Sequence, residues 1–199
     1  MARLLDAIEA GDGEVRGLAF ADEEVAGEWL GHVDFEGCTF EDCDLSGCTL
    51  DRASFEGCEL RACDLSNATL STSFWRMSTV SDCRLTGCDL HEAIMRQSTF
   101  EGCALPYANL TDAKLDQVTL RDCDMHEATL SNVRAKRLRL EGCDLTRAEL
   151  FGTKLAGVDL SSCEIAALRV SDTFRELRGA KVGIDQAPDL IGLLGVKLS

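Results

Sequence analysis

Eleven cysteines stand at positions 38, 43, 48, 58, 63, 83, 88, 103, 123, 143 and 163, and each leaves a remainder of three on division by five. With five phases open, chance produces this about once in ten million. The period is not confined to cysteine. From Phe35 to Val170 every position divisible by five is apolar, mostly Leu and Phe, with no slip of phase. Two residues before each of these centres sits a small or modest side chain: Cys, Ala, Ser, Thr or Val, with Leu138 and Leu168 the larger ones. The positions flanking the centre are mostly polar, and Gly recurs two residues after it, as at Gly37, Gly47, Gly57, Gly87, Gly102 and Gly142.

A five-residue period fits neither an α-helix nor a flat strand, because it would smear the centres around the helix or alternate them between sheet faces. It does fit a short extended piece followed by a corner. The centre and the residue two before it then point the same way, inward. The two residues after the centre make the turn, and the Gly that recurs there fits a corner that often needs positive φ. Four such corners close a square, so a coil holds about 20 residues. The subset Cys43, Cys63, Cys83, Cys103, Cys123, Cys143 and Cys163 runs unbroken at that interval, which predicts one ladder of stacked thiols. At the usual strand spacing of about 4.8 Å, seven coils from Val33 to Asp172 make a rod of roughly 34 Å. Leu18 to Phe20 and Trp29-Leu30 predict a weaker opening coil.

The runs Cys63-Asp64-Leu65-Ser66-Asn67-Ala68-Thr69-Leu70, Ala108-Asn109-Leu110-Thr111-Asp112-Ala113-Lys114-Leu115 and Ala148-Glu149-Leu150 resemble the A(D/N)LXX pattern of pentapeptide repeat proteins. The resemblance implies an all-β fold, a right-handed quadrilateral parallel β-helix of about 7–8 coils with a short C-terminal helix. The expected organisation is an N-terminal cap over 1–17, the β-helix over 18–175, and a C-terminal helical cap and dimerisation segment over 176–199. Within 1–14, Leu4 to Ala10 reads as a short helix before Gly11-Asp12-Gly13. Near the other end a second helix is predicted with Asp185 as its cap, Pro188 in its first turn and Gly195 as its stop. Leu190, Ile191 and Leu194 are predicted to share a face, with Val196-Lys197-Leu198 an extended apolar tail. Either this segment only covers the last coil, or it is a two-fold contact. The resemblance to quinolone-resistance pentapeptide proteins implies the latter, an end-to-end homodimer through Leu190, Ile191, Leu193, Leu194 and Val196.

Catalytic and metal chemistry find little in the sequence. There is no CxxC pair, and buried free cysteine behaves as a small hydrophobe. His32, His91 and His126 fall at outward positions on separate coils, and no phosphate loop, dinucleotide fingerprint or nucleophile elbow occurs. A filled rod offers no concave pocket. The expectation is a non-enzyme with no cofactor and no metal.

Charge is the informative surface feature. Acids number 35 against 20 bases, a net charge of −15, which excludes an ordinary nucleic-acid binder and disfavours an anionic membrane surface. No apolar run spans a membrane and Asp6 follows too soon for a signal peptide, so a cytoplasmic protein is expected. Four walls follow from the 20-residue phase. The first is centred on 35, 55, 75 and 95, the second on 40, 60 and 80, the third on 45, 65 and 85, the fourth on 50, 70 and 90. The second carries nine acids against three bases and the third seven against two, whereas the first has seven bases against four acids. The second and third walls therefore form an acidic stripe that includes Glu41, Asp42, Asp44, Glu59, Asp64, Asp82, Glu101, Asp122, Asp124 and Asp144. Along the axis, residues 1–92 hold 20 acids and 6 bases while 93–199 hold 15 and 14. Phe74, Met77 and Ile94 are outward apolar groups on the first wall, read either as a contact patch or as a bulge that turns Phe74 or Trp75 inward.

The resemblance implies a protein that mimics B-form DNA and engages DNA gyrase or topoisomerase IV in place of DNA, protecting it from quinolones. The unbroken register resembles the loop-free members of that group. The alternative is a structural or adaptor rod for another protein partner, its acidity serving solubility.

Overall fold

The computed structural model describes residues 3–196. Its backbone climbs as a four-sided parallel β-helix, and the 20-residue interval is the register of every strand pair on its first two walls. The first wall is a sheet of seven three-residue strands from Glu14–Arg16 to Arg134–Lys136, and the second a sheet of seven from Ala19–Ala21 to Arg139–Glu141. Neighbouring strands are parallel and pair without slip, as in Phe35↔Phe55 and Phe55↔Trp75 on the first wall. The third and fourth walls are held by single bridges at the same interval, Glu24↔Asp44↔Asp64↔Arg84 and Trp29↔Thr49↔Thr69↔Asp89. The opening coil is as regular as those above it, because Val15 and Phe20 fill their rungs (2% and 1% exposed). Strand geometry thus starts at Glu14, inside the segment assigned to the cap.

The corners explain how a chain with 17 glycines makes so many tight bends. Every fifth residue from Asp12 to Ala167 has positive φ, with Ser162 the exception. Many are not glycine: Asp42, Ala62, Asp82 and Asp122 lie at φ 50–54°. A left-handed residue with a side chain costs on the order of 1 kcal/mol. The corner amide offsets this by donating to a carbonyl of the next coil, as Asp82 N–H does to Glu101 O at 2.9 Å and Asp122 N–H to Glu141 O at 2.8 Å. Where an acidic corner folds its carboxylate over the coil above, the residue there is Gly. A Cβ on Gly102 would lie 2.6 Å from Asp82 Oδ1, and one on Gly142 would lie 2.3 Å from Asp122 Oδ1.

The interior is one column. Phe20, Phe40, Phe35, Phe55 and Trp75 stack through its lower part, Phe55 on Trp75 at 4.1 Å between ring centroids. Leu dominates above Phe100. All eleven cysteines are free and buried. Thiols other than that of Cys88 donate to backbone carbonyls, as Cys103 Sγ does to Val80 O at 3.4 Å. Burial and the adjacent Asp89 push the Cys88 thiol up to about 12, so it stays protonated and inert. Trp75 is fully buried and its indole N–H bonds Ser73 Oγ at 3.0 Å. The strand Phe74–Arg76 keeps its register, so there is no bulge, and Phe74 stays outward beside Ile94. An outward Phe is tolerated because its neighbours on the wall, Ile94 and Met77, are apolar too.

The two ends differ. Helix α1 (Leu4–Ala10) covers the opening coil through Leu4, which is fully buried. At the far end the ladder slips: Leu155 N–H bonds Glu176 O and Leu160 N–H bonds Lys181 O, offsets of 21 rather than 19 residues. Arg175 occupies what would be a centre, and an Arg cannot enter the column. The next residue, Glu176, is fully buried instead. It accepts from Gly152 N–H at 3.0 Å and from Ser171 Oγ at 2.7 Å. Burial alone would raise its pKa, but Ser171, Gly152 and Arg175 outweigh that and hold it down at about 2. A 3-10 turn over Ile184–Gln186 leads into α2 (Ala187–Leu193). Asp185 is not the cap expected of it. Gln186 stands at that position, but its side chain caps no N–H of α2: its Oε1 accepts Gly183 N–H while its Nε2 donates to Leu160 O and Cys163 O. It is drawn inward because the last coil leaves those two carbonyls without a rung above. Pro188 lies in the first turn of α2 and Gly195 ends it at φ 72°.

A candidate acidic interface on the second and third walls

The carboxylates of the stripe stand on two adjoining walls and the corner between them. Glu41, Glu59 and Glu101 project from second-wall strands, where each is an outward neighbour of a buried centre. Asp42, Asp82 and Asp122 occupy the left-handed corners, a conformation Asp tolerates better than most. Asp44, Asp64, Asp124 and Asp144 are rungs of the third wall, with Arg84 and Ala104 between the two pairs. The structure therefore brings all ten together along one edge, as Glu41, Asp42 and Asp44 of a single coil illustrate.

The third-wall carboxylates are fixed in direction. Asp44 accepts from Ser46 N–H at 3.0 Å, Asp64 from Ser66 N–H at 2.9 Å, Asp124 from His126 N–H at 3.1 Å and Asp144 from Thr146 N–H at 2.8 Å. Such two-residue side-chain turns pin one oxygen and leave the other to solvent. Charge is not equally available at all ten. Asp64 is bridged by Arg84 at 2.7 Å, and Arg121 reaches both Glu101 at 3.4 Å and Glu141 at 3.0 Å. Burial nudges the Asp64 pKa up, but Ser66 and Arg84 bring it below the usual carboxylate range. Among the described residues Glu41, Asp42, Asp44, Glu59 and Asp82, and beyond residue 93 Asp122 and Asp144, have no ion-pair partner in the chain. The uncompensated carboxylates concentrate in the half before residue 93.

Sequence reasoning kept the histidines apart from every ligand set. The coordinates place His126 Nδ1 2.7 Å from Asp124 Oδ1, with Asp144 close enough that three donor atoms lie within 4.8 Å. The group lies on an open wall, partly buried, and Asp124 Oδ1 is already occupied by two donors of His126. The missed signal was the 20-residue offset from Asp124 to Asp144, which makes them neighbours. Inside the rod, the void between Leu90, Phe100, Leu110 and Leu120 is about 10 Å³, no more than one water. The surface recess between Glu41 and Arg61 on the second wall is open and shallow, not an enclosed pocket.

The C-terminal residues expected at a dimer contact divide. Leu190 and Leu193 pack on the core, whereas Leu194 and Val196 are 62% and 53% exposed, joined by Ile184 at 92%. Leu194 is thus exposed at the C-cap of α2 while Leu190, one turn earlier, packs inward, and Ile191 is half-buried. Lys197 and Leu198 lie outside the described residues. No helix among the described residues is long and apolar enough to cross a membrane.

A four-sided parallel β-helix with an apolar centre every five residues is the architecture of a solenoid repeat protein. Two family models, "Pentapeptide repeats (8 copies)" over residues 30–71 and "Pentapeptide repeat region" over residues 77–150, match the sequence, and the chain belongs to the pentapeptide repeat proteins. Among solved structures, a trypsin-treated form of QnrB1, a plasmid-mediated fluoroquinolone resistance protein, is similar at 23% identity and TM-score 0.50, covering 94% of this chain and 90% of that one. HetL from the cyanobacterium Nostoc, described as involved in heterocyst differentiation regulation, aligns at 14% identity and TM-score 0.30 over 91% of this chain and 95% of its own. A pentapeptide repeat protein of the Arabidopsis thaliana thylakoid lumen aligns at 24% identity and TM-score 0.22 over 64% and 68%. No curated protein matches the sequence.

Proposed function

We propose that this chain is a non-catalytic binding rod whose acidic stripe stands in for duplex DNA in the basic cleft of a type II topoisomerase such as DNA gyrase, modulating the enzyme or shielding it from quinolone-type inhibitors. The observation that carries this reading is charge per unit length. Residues 12–92 hold 18 acids and 5 bases. They rise through four coils, about 19 Å, which is one net negative charge per roughly 1.5 Å. Duplex DNA carries one per about 1.7 Å. A rod that presents oriented carboxylates at a fixed rise loses little entropy when a basic saddle closes on it. The fluoroquinolone-resistance role named for QnrB1 makes gyrase the first target to test. End-to-end pairing through the C-terminal segment would rest on Ile184, Leu194 and Val196, with Leu190 and Leu193 serving the cap.

The near-neutral half beyond residue 92 and its basic first wall favour a second reading, an adaptor rod for another protein. A supercoiling assay separates the two. Under the first reading purified chain inhibits gyrase, or relieves quinolone inhibition, at micromolar concentration. Reversing Asp44, Asp64, Asp124 and Asp144 together to Lys should weaken the effect by at least about 100-fold while the circular dichroism of the coil survives. No effect of the unaltered chain at that concentration rejects the topoisomerase reading.

A further inference from the structure

We propose that the first wall is a self-association surface on which a second copy of the chain packs face to face and antiparallel, with its two-fold axis between the levels of Phe74 and Ile94. The outward row of this wall reads Glu14, Asp34, Ser54, Phe74, Ile94, Lys114, Arg134, Lys154. The first seven residues are strand neighbours at constant 20-residue register. The row is acidic at one end, apolar in the middle and basic at the other. A two-fold axis lying in the plane of the wall, along the strands, keeps each row facing itself and reverses its direction. It then sets Phe74 against Ile94, Asp34 against Arg134 and Glu14 against Lys154, each contact made twice as an isologous interface requires. A two-fold along the rod axis would instead swap the rows, setting Asp34 on Glu36, Arg134 on Lys136 and the apolar Phe74 and Ile94 on Arg76 and Arg96.

Three further observations agree. Asp34, Lys114, Arg134 and Lys154 have no ion-pair partner in their own chain among the described residues. The second outward row is largely satisfied internally: Glu56 pairs with Arg76, and Asp116 with Lys136 and Arg137. On packing, that row opposes Glu36 to Lys136. Its like-charge levels, Arg76 with Arg96 and Glu56 with Asp116, alternate in sign, so diagonal attraction offsets them. Finally, Phe74 and Ile94 are half-buried side chains on an otherwise charged wall, and Met77 beside them is 50% exposed. An apolar centre with a charged rim is the anatomy of a protein interface. The wall is about 34 Å by 13 Å, so pairing buries roughly 1,000 Å² in all, the low end for a specific contact. A weak, salt-sensitive dimer follows. A purely acidic partner fits less well, because half of the wall repels it. The acidic third wall lies on the opposite side of the rod and stays free in the pair.

Sedimentation velocity on the full chain tests this, at up to roughly 100 µM protein. Salt is varied between about 25 mM and about 500 mM, where screening becomes strong. Dimer is expected at low salt and its loss at high salt. Asp34→Arg and Arg134→Asp should each weaken pairing about tenfold or more, and the double variant D34R/R134D should recover it to within about threefold. Recovery shows that the single variants were folded. A chain that stays monomeric at low salt overturns the proposal, as does a double variant no better than the singles. A dimer indifferent to salt and to both substitutions, but lost in Leu194→Glu, overturns it in favour of the C-terminal contact. A monomer that instead retains polyglutamate on the wall also overturns it.

Discussion

Below residue 93 the column is filled by Phe20, Phe35, Phe40, Phe55 and Trp75, and the surface around it carries almost the whole net charge of the molecule. Above it the column is mainly Leu, with Met125 and the small Ala135, and the surface is near neutral. The backbone does not register the change: strands pair at 20-residue spacing from Glu14 to Glu141. The difference shows that the coil depends on an apolar group of adequate volume at each centre and is indifferent to the sign of what lies outside. It also suggests a division of labour. Fourteen net negative charges on one half repel each other. Stacked rings add about 0.5–1.5 kcal/mol per pair beyond their area and offset that repulsion where it is greatest. The near-neutral half needs no such reinforcement.

Cutting the stack is the hardest way to break this contrast. Trp75→Ala removes the ring between Phe55 and Phe100, 4.1 Å and 5.9 Å from its centroid. A loss of about 4–5 kcal/mol is expected in urea unfolding, against about 3 kcal/mol for Leu115→Ala on the same wall. Salt should stabilise the Trp75→Ala chain more than the Leu115→Ala chain; equal responses would remove the link between aromatic core and acidic surface.

Glu176 sharpens the contrast at the other end. Its folded pKa of about 2 lies below the ordinary value of 4.5, so it contributes stability that is full above pH 4.5 and lost as pH falls from there towards 2. The shift corresponds to up to about 3 kcal/mol. Hydrogen exchange at Gly152 and Leu155 should accelerate across that window, and Glu176→Gln should abolish the pH dependence there. Unchanged protection in Glu176→Gln would mean the carboxylate does not anchor the slipped coil.

The smallest effect expected is chemical. With every thiol buried, a thiol-reactive chromophore should label none of the eleven cysteines in the native rod and all of them in denaturant. Rapid native labelling confined to the upper half would show that half opening locally.

Much of this was legible from the period alone. Cys43, Cys63 and Phe55 report their own positions because a strict repeat leaves only one way for them to share an interior, and the corner residues follow. Where the repeat ends, so does the legibility. Arg175 at a centre position announces the break, but nothing in the sequence says that Glu176 replaces a rung or that Gln186 is drawn inward by the carbonyls of Leu160 and Cys163. Those contacts depend on which carbonyls of the last coil have no further coil above them. The stripe was legible as a set of residues on two walls. Which carboxylates remain unpaired was not, because Arg84 and Arg121 choose partners by side-chain reach across coils.

The claim that the acidic half substitutes for DNA is tested most directly by displacement. Labelled duplex bound to gyrase is titrated with the chain, and the anisotropy of the label is followed. The account predicts competitive release, with Asp44→Lys/Asp64→Lys weakening it more than Asp124→Lys/Asp144→Lys. Duplex that stays bound at tens of micromolar chain, roughly the limit of a meaningful interaction here, would contradict it.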